Sequence, residues 1–407
     1  MVAIYKNLGL VFGYSSILLA SKGLTLLVSY LVAFSVGDAE FGYFSLAQAL
    51  FVTAVALLGL NSSAAYVRYF YSEGASAVFK ALKRIYFLFF FLSISFGLLL
   101  YFIFLEHQYF VWFALLPFSG FLASHISSFN AIYRCSNNVA GYAFAELGRP
   151  VLVFLSIAIF LWLSFEFSVV AIYLLVLCLS LLVIVFLAGF HLRLELFKKS
   201  QSSLSEREVV LYLLPLVIVQ LMALINNVGD RYIMSAFVTV EELGRYGKAY
   251  LIGAAAGMLI DSVSLLWAPY VVRRVNSFKV DLYPKVLLVF GGAIVLSLFL
   301  LLGAGLMFIC EISFFSVDYL FWVMVIIVLS AFMARVGYQV FVPVLSAYDL
   351  TGVVAKLSFV GAISGISANF VLIPFWGGVG AALATWISFF IFSILSFWFV
   401  REKIIRV

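Results

Sequence analysis

Apolar runs long enough to cross a lipid bilayer follow one another along nearly the whole chain. A transmembrane helix needs about 20 predominantly apolar residues to cross a hydrocarbon core of ~30 Å, and counting such runs predicts about twelve spans. They lie at residues 8–36, 41–67, 85–105, 109–132, 139–163, 168–190, 209–236, 244–268, 284–309, 318–345, 355–375 and 378–400. Only 10% of the 407 residues are charged, against about a quarter in soluble domains. We therefore predict an all-α polytopic membrane protein with no room for a soluble catalytic domain.

Basic residues fall almost entirely on one side of these spans. On that side lie Lys6, Arg68, Lys80, Lys83, Arg84, Arg134, Arg193, Lys198, Lys199, Arg207, Arg273, Arg274, Lys279, Lys285, Lys356, Arg401, Lys403 and Arg406. The opposite loops contain Arg245 as their basic residue, among acids such as Asp38 and Glu241. Because Lys and Arg mark cytoplasmic loops, we predict that both termini are cytoplasmic and that the number of spans is even. The net charge of +6 is then mostly a topology signal, and no nucleic-acid partner is expected.

The sequence also predicts two lobes of six helices each. A hydrophilic segment at 191–208 is predicted to be a cytoplasmic linker between a lobe at 1–190 and a lobe at 209–407. Glu40-Phe41-Gly42-Tyr43-Phe44, which opens the second span, is echoed 202 residues later by Glu242-Leu243-Gly244-Arg245-Tyr246. A second, weaker echo joins residues 141–143 (GYA) to 352–355 (GVVA). Equal span numbers give both halves the same orientation, which predicts a parallel pseudo-two-fold repeat with a substrate path between the lobes.

Charged residues inside the predicted spans point to a polar cavity. A charge at the bilayer centre costs about 2.5 to 3.5 kcal/mol on insertion scales. Lys22 lies about 14 residues, or roughly 21 Å, from either end of its span, which is too far for a lysine to reach the interface. The complete set is Lys22, Glu146, Arg149, Asp230, Arg231, Lys248, Asp261 and Arg335. Five cations against three acids suit an anionic guest such as a diphosphate, so we predict substrate contacts from Lys22, Arg231, Lys248 and Arg335.

The remaining charged groups and one histidine are candidates for ion coupling or gating. Asp230 lies about two turns from the predicted outer end of its span, where an outer-gate ion pair is an alternative role. Glu146 and Arg149, three residues apart, can pair within their helix. Asp261 has no basic neighbour at helical spacing, which favours proton or sodium coupling. His125 is either a packed polar residue or part of a proton route.

No pattern in the chain predicts catalysis. His107, His125 and His191 are dispersed, and no nucleophile motif, paired carboxylates or phosphate-binding loop is present. Cys135, Cys178 and Cys310 have no paired spacing, so neither a disulfide nor a metal site is expected. The chain is predicted not to be an enzyme and to need no cofactor beyond a possible H⁺ or Na⁺ coupling ion.

Several short motifs carry a resemblance to a known family. They are EFGYFSLA at 40–47, LGL at 58–60, VRYF at 67–70, DRYI at 230–233, EELGRY at 241–246, NFVLIP at 369–374 and GGVGAALAT at 377–385. Together, and in this order, they resemble the polysaccharide-lipid flippases of the O-antigen repeat-unit type. These belong to the multidrug/oligosaccharidyl-lipid/polysaccharide exporter superfamily. The peptidoglycan-precursor flippases of the same superfamily usually carry two additional spans that this chain lacks.

The resemblance implies a function and a location. Such proteins turn over undecaprenyl-diphosphate-linked oligosaccharides by alternating access in the bacterial inner membrane, from the cytoplasmic to the periplasmic leaflet, for surface polysaccharide assembly. The expected partners are that lipid, membrane lipid and polysaccharide polymerase or assembly proteins, with the chain acting as a monomer coupled to a proton or sodium gradient. The main alternative is a cation-coupled multidrug or small-molecule exporter of the same superfamily. A non-transporting scaffold for polysaccharide assembly is a third interpretation.

Overall fold

Helices account for nearly all of the chain that the structure describes. The computed structural model describes residues 2–103, 105, 110–163, 167–197, 204–276, 291, 319–348 and 350–405. The helices are α1 Val2–Ser35, α2 Asp38–Gly59, α3 Ser62–Glu73, α4 Ala75–Ile103, α5 Leu115–Cys135, α6 Val139–Trp162, α7 Val169–Leu196, α8 Glu206–Phe237, α9 Val240–Asn276, α10 Tyr319–Ala347 and α11 Thr351–Ile405. A short 3₁₀ turn, Phe110–Ala114, leads directly into α5. The prediction of an all-α fold is confirmed.

Within these residues, nine helical segments are long and apolar enough to cross a membrane. One of them, residues 38–73, joins α2 and α3 across a break at Leu60 and Asn61, which both have positive φ. Another, residues 352–401, contains the eleventh and twelfth predicted spans, which are separated by non-helical backbone at Gly377. Helix α9 covers the eighth predicted span, and the ninth, 284–309, lies outside the described residues except for residue 291. The chain is a multi-pass membrane protein, and the count of twelve spans stays a prediction.

Polar side chains mark where several of these helices begin. The Asn138 side chain accepts a hydrogen bond from Gly141 N at 2.8 Å before α6, and Ser168 accepts from Ala171 N at 3.4 Å before α7. Thr239 accepts from Glu242 N at 3.3 Å before α9. These bonds satisfy backbone donors that the first turn of a helix leaves free.

Residue contacts divide the chain into two compact units. Unit 1 contains Met1–Gly37 and Leu46–Leu224, and unit 2 contains Asp38–Ser45 and Ile225–Val407. This division differs from the predicted lobes at two places. The start of α8 belongs to unit 1, where Tyr212 packs edge-on against Tyr69 of α3. The start of α2 belongs to unit 2, because it packs against the start of α9.

In unit 1, α6 packs against α1 and α7, and α5 packs against α3, α4 and α7. Two cross-helix hydrogen bonds join helices to backbone: Ser21 Oγ donates to the Glu146 carbonyl at 3.1 Å, and Tyr71 Oη donates to the Cys135 carbonyl at 3.1 Å. Buried hydroxyls bonded to carbonyl oxygens avoid the cost of an unpaired polar group in an apolar interior.

In unit 2, α10 packs against both α9 and α11. Gly253 and Gly257 of α9 lie directly under the Phe332 ring of α10, so that the two helices approach closely. Trp267 donates its indole N–H to the Val340 carbonyl at 2.9 Å along the same interface.

The two echo motifs contact each other inside unit 2. A Cβ on Gly42 would overlap the Val240 carbonyl oxygen, and a Cβ on Gly244 would overlap the Asp38 carbonyl oxygen. Asp38 and Val240 are separated by the same 202 residues as Gly42 and Gly244. The contact is therefore reciprocal. Gly42 of the first motif packs against Val240, and Gly244 of the second packs against Asp38, the residue equivalent to Val240 in the repeat.

Candidate functional site

Asp230 is a buried acid of unit 2 whose partner is a tyrosine. The residue is 6% exposed, and its Oδ2 accepts a hydrogen bond from Tyr246 Oη at 2.5 Å. Its Oδ1 accepts from the backbone N–H of Arg231 at 2.8 Å. Tyr246 Oη also lies 3.5 Å from Thr385 Oγ1, which links α8 and α9 to α11. The hydrogen bonds to Asp230 come from a hydroxyl and a backbone amide, an arrangement that differs from the outer-gate ion pair considered for it.

The next residue, Arg231, packs against an aromatic ring of α9. Its guanidinium carbon lies 5.3 Å from the centre of the Tyr250 ring. Its Nε is buried and has no hydrogen-bond acceptor among the described residues. A buried guanidinium N–H without an acceptor is costly, so Arg231 stays a candidate for binding an acceptor from a ligand.

Arg335 lies on the same row of aromatic rings. Its guanidinium carbon is 5.9 Å from the Phe332 centroid and 5.6 Å from the Phe389 centroid. The rings of Tyr250 and Phe332 are 5.6 Å apart, and those of Phe332 and Phe389 are 6.0 Å apart. Tyr250, Phe332 and Phe389 thus form an aromatic row in unit 2 that contacts two arginines.

Lys248, predicted to contact substrate, is an ion-pair partner. Its Nζ lies 2.8 Å from Asp38 Oδ1, and Arg245 Nε lies 3.0 Å from Asp38 Oδ2. One carboxylate at the start of α2 therefore holds two cations of α9, next to the reciprocal glycine contact. This arrangement joins the start of α2 to α9 and gives Lys248 a carboxylate partner that it shares with Arg245.

Lys22 lies on an exposed face of α1 in unit 1. The neighbouring Ser21 bonds to the Glu146 carbonyl at 3.1 Å, which places Lys22 within about one turn of the level of Glu146 on α6. The prediction that Lys22 is far from both ends of its helix agrees with its position in α1.

Glu146 and Arg149 both line a cavity of about 240 Å³ in unit 1. Glu146 Oε2 accepts from Asn130 Nδ2 at 2.6 Å, a partner on α5 rather than the expected Arg149. The cavity wall consists of Phe51, Val52, Val55, Ala123, Ile126, Ser127, Asn130, Ala145, Glu146, Arg149 and Leu181.

The last two candidates are His125 and Asp261. His125 packs against Tyr86 and Phe121, with ring centroids 4.7 and 4.4 Å away, and its Nδ1 is 3.0 Å from the Phe121 carbonyl. These contacts favour the packed interpretation of this histidine over a proton route. Asp261 belongs to α9, but its side chain lies outside the described residues.

Three contributors were missing from the sequence prediction. Asn130, Tyr246 and Thr385 are uncharged residues that hold or surround the predicted acids. The sequence indicates these residues only as polar side chains within apolar runs. Hydroxyls and amides are so frequent in membrane helices that this pattern does not distinguish site residues from others. Among the described residues, no group of three or more His, Cys, Asp and Glu side chains could hold a metal ion.

The fold is similar to those of several solved structures whose proteins are flippases or transporters of the MOP superfamily. No protein-family model and no curated protein sequence matches the chain. The structure of "Lipid II flippase MurJ, inward closed conformation" matches with a TM-score of 0.74 and 16% identity, over 97% of this chain and 89% of that one. The expectation of this superfamily fold is confirmed.

Two further solved structures show the same fold. The Vibrio cholerae MATE transporter VcmN, solved as a point mutant, matches with a TM-score of 0.66 and 14% identity, over 100% of this chain and 98% of that one. A MOP superfamily transporter from Pyrococcus furiosus, whose binding pocket is described as having reverse polarity, matches with a TM-score of 0.65 and 13% identity, over 97% and 95%.

Proposed function

We propose that the chain is a flippase for lipid-linked oligosaccharides. It would move undecaprenyl-diphosphate-linked sugar units across the bacterial inner membrane by alternating access, for surface polysaccharide assembly. The observation that carries this proposal is the buried Arg231 Nε, which has no acceptor among the described residues although a carboxylate is its immediate neighbour.

The chemistry of Arg231 suits a phosphate group. Asp230, which would otherwise neutralise the guanidinium, is engaged by Tyr246 and by backbone. A guanidinium offers five N–H donors in a planar fork that matches two phosphate oxygens. Tyr250 supports the guanidinium through its ring face and leaves the donors in the guanidinium plane available. Arg335 on the same aromatic row adds a second cation for a diphosphate.

The solved structures support a transporter and leave the substrate to be tested. A lipid II flippase is among the structures that share the fold, and its substrate is a lipid. MATE multidrug transporters share it as well. At these identities the likeness extends to the fold, so the choice of lipid substrate depends on the charge pattern of this chain.

The test is complementation of a bacterium that lacks its own polysaccharide flippase. Wild-type chain should restore surface polysaccharide, whereas Arg231→Ala and Arg335→Ala should each reduce it at least about tenfold, since a charge-assisted hydrogen bond contributes about 1.5 to 3 kcal/mol. Export by Lys22→Ala is measured alongside these two variants. Arg401→Ala, which removes an exposed arginine, is the matched control and should leave export unchanged. Full export by Arg231→Ala, Arg335→Ala and Lys22→Ala at equal protein levels would refute the cationic mechanism.

A cation-coupled exporter of small molecules is the second candidate. The observation in its favour is the buried Asp230, because a carboxylate in an apolar interior attracts cations. Extrusion of an organic cation by cells without other pumps, abolished by Asp230→Asn or Asp261→Asn, would support this function instead.

A further inference from the structure

The cavity of unit 1 carries one acid and one base, whose formal charges are opposite and cancel. Glu146 and Arg149 are its charged residues, accompanied by the amide of Asn130 and the hydroxyl of Ser127. A phosphate in this space would face the Glu146 carboxylate, and an organic cation would face the Arg149 guanidinium. The balance of charge therefore favours a neutral ligand, in contrast with the arginines of unit 2.

Hydrogen-bonding capacity on the cavity wall is left unused. Asn130 is 6% exposed and donates its amide N–H to Glu146, which fixes the orientation of the amide because a carboxylate only accepts. The other amide atom, Oδ1, is buried and has no partner in the part of the chain that the structure describes. The Arg149 guanidinium adds donors. Donors and acceptors side by side are what a hydroxyl group needs, because it both donates and accepts.

The remaining wall of the cavity is apolar. Phe51, Val52 and Val55 come from α2, and Leu181 comes from α7. A sugar ring combines hydroxyls at its edge with C–H groups on its faces, so it can meet the polar residues of α5 and α6 and the apolar ones of α2 together.

Size restricts the ligand further. The cavity volume of about 240 Å³ lies below the ~300–1,000 Å³ of pockets that enclose drug-sized molecules. One sugar residue is therefore a better match than an oligosaccharide.

We infer that this cavity is a subsite for one neutral sugar residue of the transported lipid, with Asn130, Glu146 and Arg149 bonding its hydroxyls. The inference rests on the proposed function, because it identifies which part of the lipid-linked substrate unit 1 recognises. It also gives Glu146 and Arg149 a recognition role in place of the predicted ion coupling.

The first experiment measures lipid binding to the purified, full-length protein in nanodiscs. The probes are undecaprenyl diphosphate alone and the same lipid carrying one glucose, galactose or N-acetylglucosamine. At least one sugar should improve affinity about tenfold, as expected for one or two hydrogen bonds to charged groups. Glu146→Gln and Arg149→Gln should remove that preference, and Arg401→Gln, the exposed control, should keep it. A preference that persists in both cavity variants would overturn the inference.

The second experiment needs no lipid-linked probe. Ser127 is exposed and lines the cavity, so Ser127→Cys in a background without the three native cysteines gives a label site for a maleimide. Methyl glycosides of the same sugars should slow labelling, and Glu146→Gln should abolish this protection. Ser136→Cys, exposed at the end of α5 and outside the cavity, is the control and should label at an unchanged rate.

The two experiments separate failure of the subsite from failure of the proposed function. Glycoside protection without any lipid binding would sustain a sugar site and refute the lipid substrate. Equal binding of lipid with and without sugar, together with unprotected labelling at Ser127→Cys, would refute the subsite and leave the flippase proposal standing.

Discussion

Asp230 combines burial with a hydroxyl partner, and this pairing should be measurable in the stability of the protein. Replacing Tyr246 by Phe leaves the Asp230 carboxylate with its backbone bond alone inside an apolar unit. We expect Tyr246→Phe to lower the free energy of unfolding by about 1 to 3 kcal/mol, the cost of a buried polar group that loses its partner.

The contribution of the bond itself follows from a double-mutant cycle. Asp230→Asn, Tyr246→Phe and the double variant are compared by thermal unfolding in detergent. Groups in direct contact show coupling energies of about 0.5 to 3 kcal/mol, so the double variant should lose less stability than the sum of the single ones. Additive losses would mean that the hydroxyl and the carboxylate do not depend on each other.

The same acid is our candidate for coupling to an ion gradient. If a proton or sodium ion binds at Asp230, Asp230→Asn should slow export and make the remaining rate insensitive to an ionophore. Glu241→Gln, an exposed acid at the start of α9, is the matched control and should keep the sensitivity of the wild type. Transport by inverted vesicles with and without the ionophore measures both rates. If export by the Asp230→Asn variant remained sensitive to the ionophore, the coupling ion would have to bind at another residue.

At the scale of helices, the reciprocal glycine contact should tolerate no side chain. A methyl group on Gly42 or Gly244 would overlap a carbonyl oxygen of the facing helix, which cannot move without shifting its backbone. We expect Gly42→Ala and Gly244→Ala each to cost about 1 to 3 kcal/mol or more. Gly37→Ala, five residues before Gly42, is the control because a Cβ there meets nothing within 4 Å.

The measurement for this prediction is the midpoint of thermal unfolding, together with the fraction of protein recovered in monodisperse form. A normal midpoint for Gly42→Ala or Gly244→Ala would show that the helices can separate at low cost. Because the contact is reciprocal, similar losses are expected at the two positions.

The break within α11 gives a second prediction at this scale. Gly377 has φ +52 and ψ −129, a conformation that L-residues avoid, and a Cβ there would overlap the carboxylate of Glu242. That carboxylate accepts the Gly378 N–H at 2.8 Å. Gly377→Ala should therefore lower the unfolding midpoint, with a backbone strain of about 1 to 3 kcal/mol. Gly352→Ala, an open position in the same helix, should not, and equal midpoints for the two variants would contradict the prediction.

At the scale of the molecule, the sequence predicts the secondary structure better than it predicts the direction in which a side chain points. Long apolar runs were sufficient to predict an all-α fold, whereas the roles predicted for Lys22, Asp230 and Arg231 stay predictions. Which way each side chain points depends on residues far away in sequence. Asp38, 210 residues from Lys248, converts that lysine from a candidate ligand into an ion-pair partner. Asn130, on another helix, takes the carboxylate that Arg149 was expected to bind.

Periodicity could not predict these outcomes, because it relates residues of one helix and carries no information on the face that a neighbouring helix presents. Breaks inside helices were also difficult to predict. Leu60 and Asn61 both adopt positive φ and divide the second predicted span into α2 and α3, although leucine has no special preference for that conformation.

The orientation of the chain in the membrane stays a prediction, and contacts between helix ends in unit 1 indicate which ends share one side. In unit 1, the Tyr71–Cys135 hydrogen bond brings the end of α3 to the end of α5, and Arg84 lies 4.0 Å from Glu206 at the start of α8. These helix ends carry the basic residues that mark the cytoplasmic side, so they should share it. A membrane-impermeant maleimide applied to spheroplasts should label Gly37→Cys in a background without native cysteines and label Ser136→Cys after permeabilisation alone. Because the two sites lie at opposite ends of the predicted spans, labelling of Ser136→Cys in sealed spheroplasts would reverse the orientation, and would put the cytoplasmic substrate on the wrong side for the proposed direction of export.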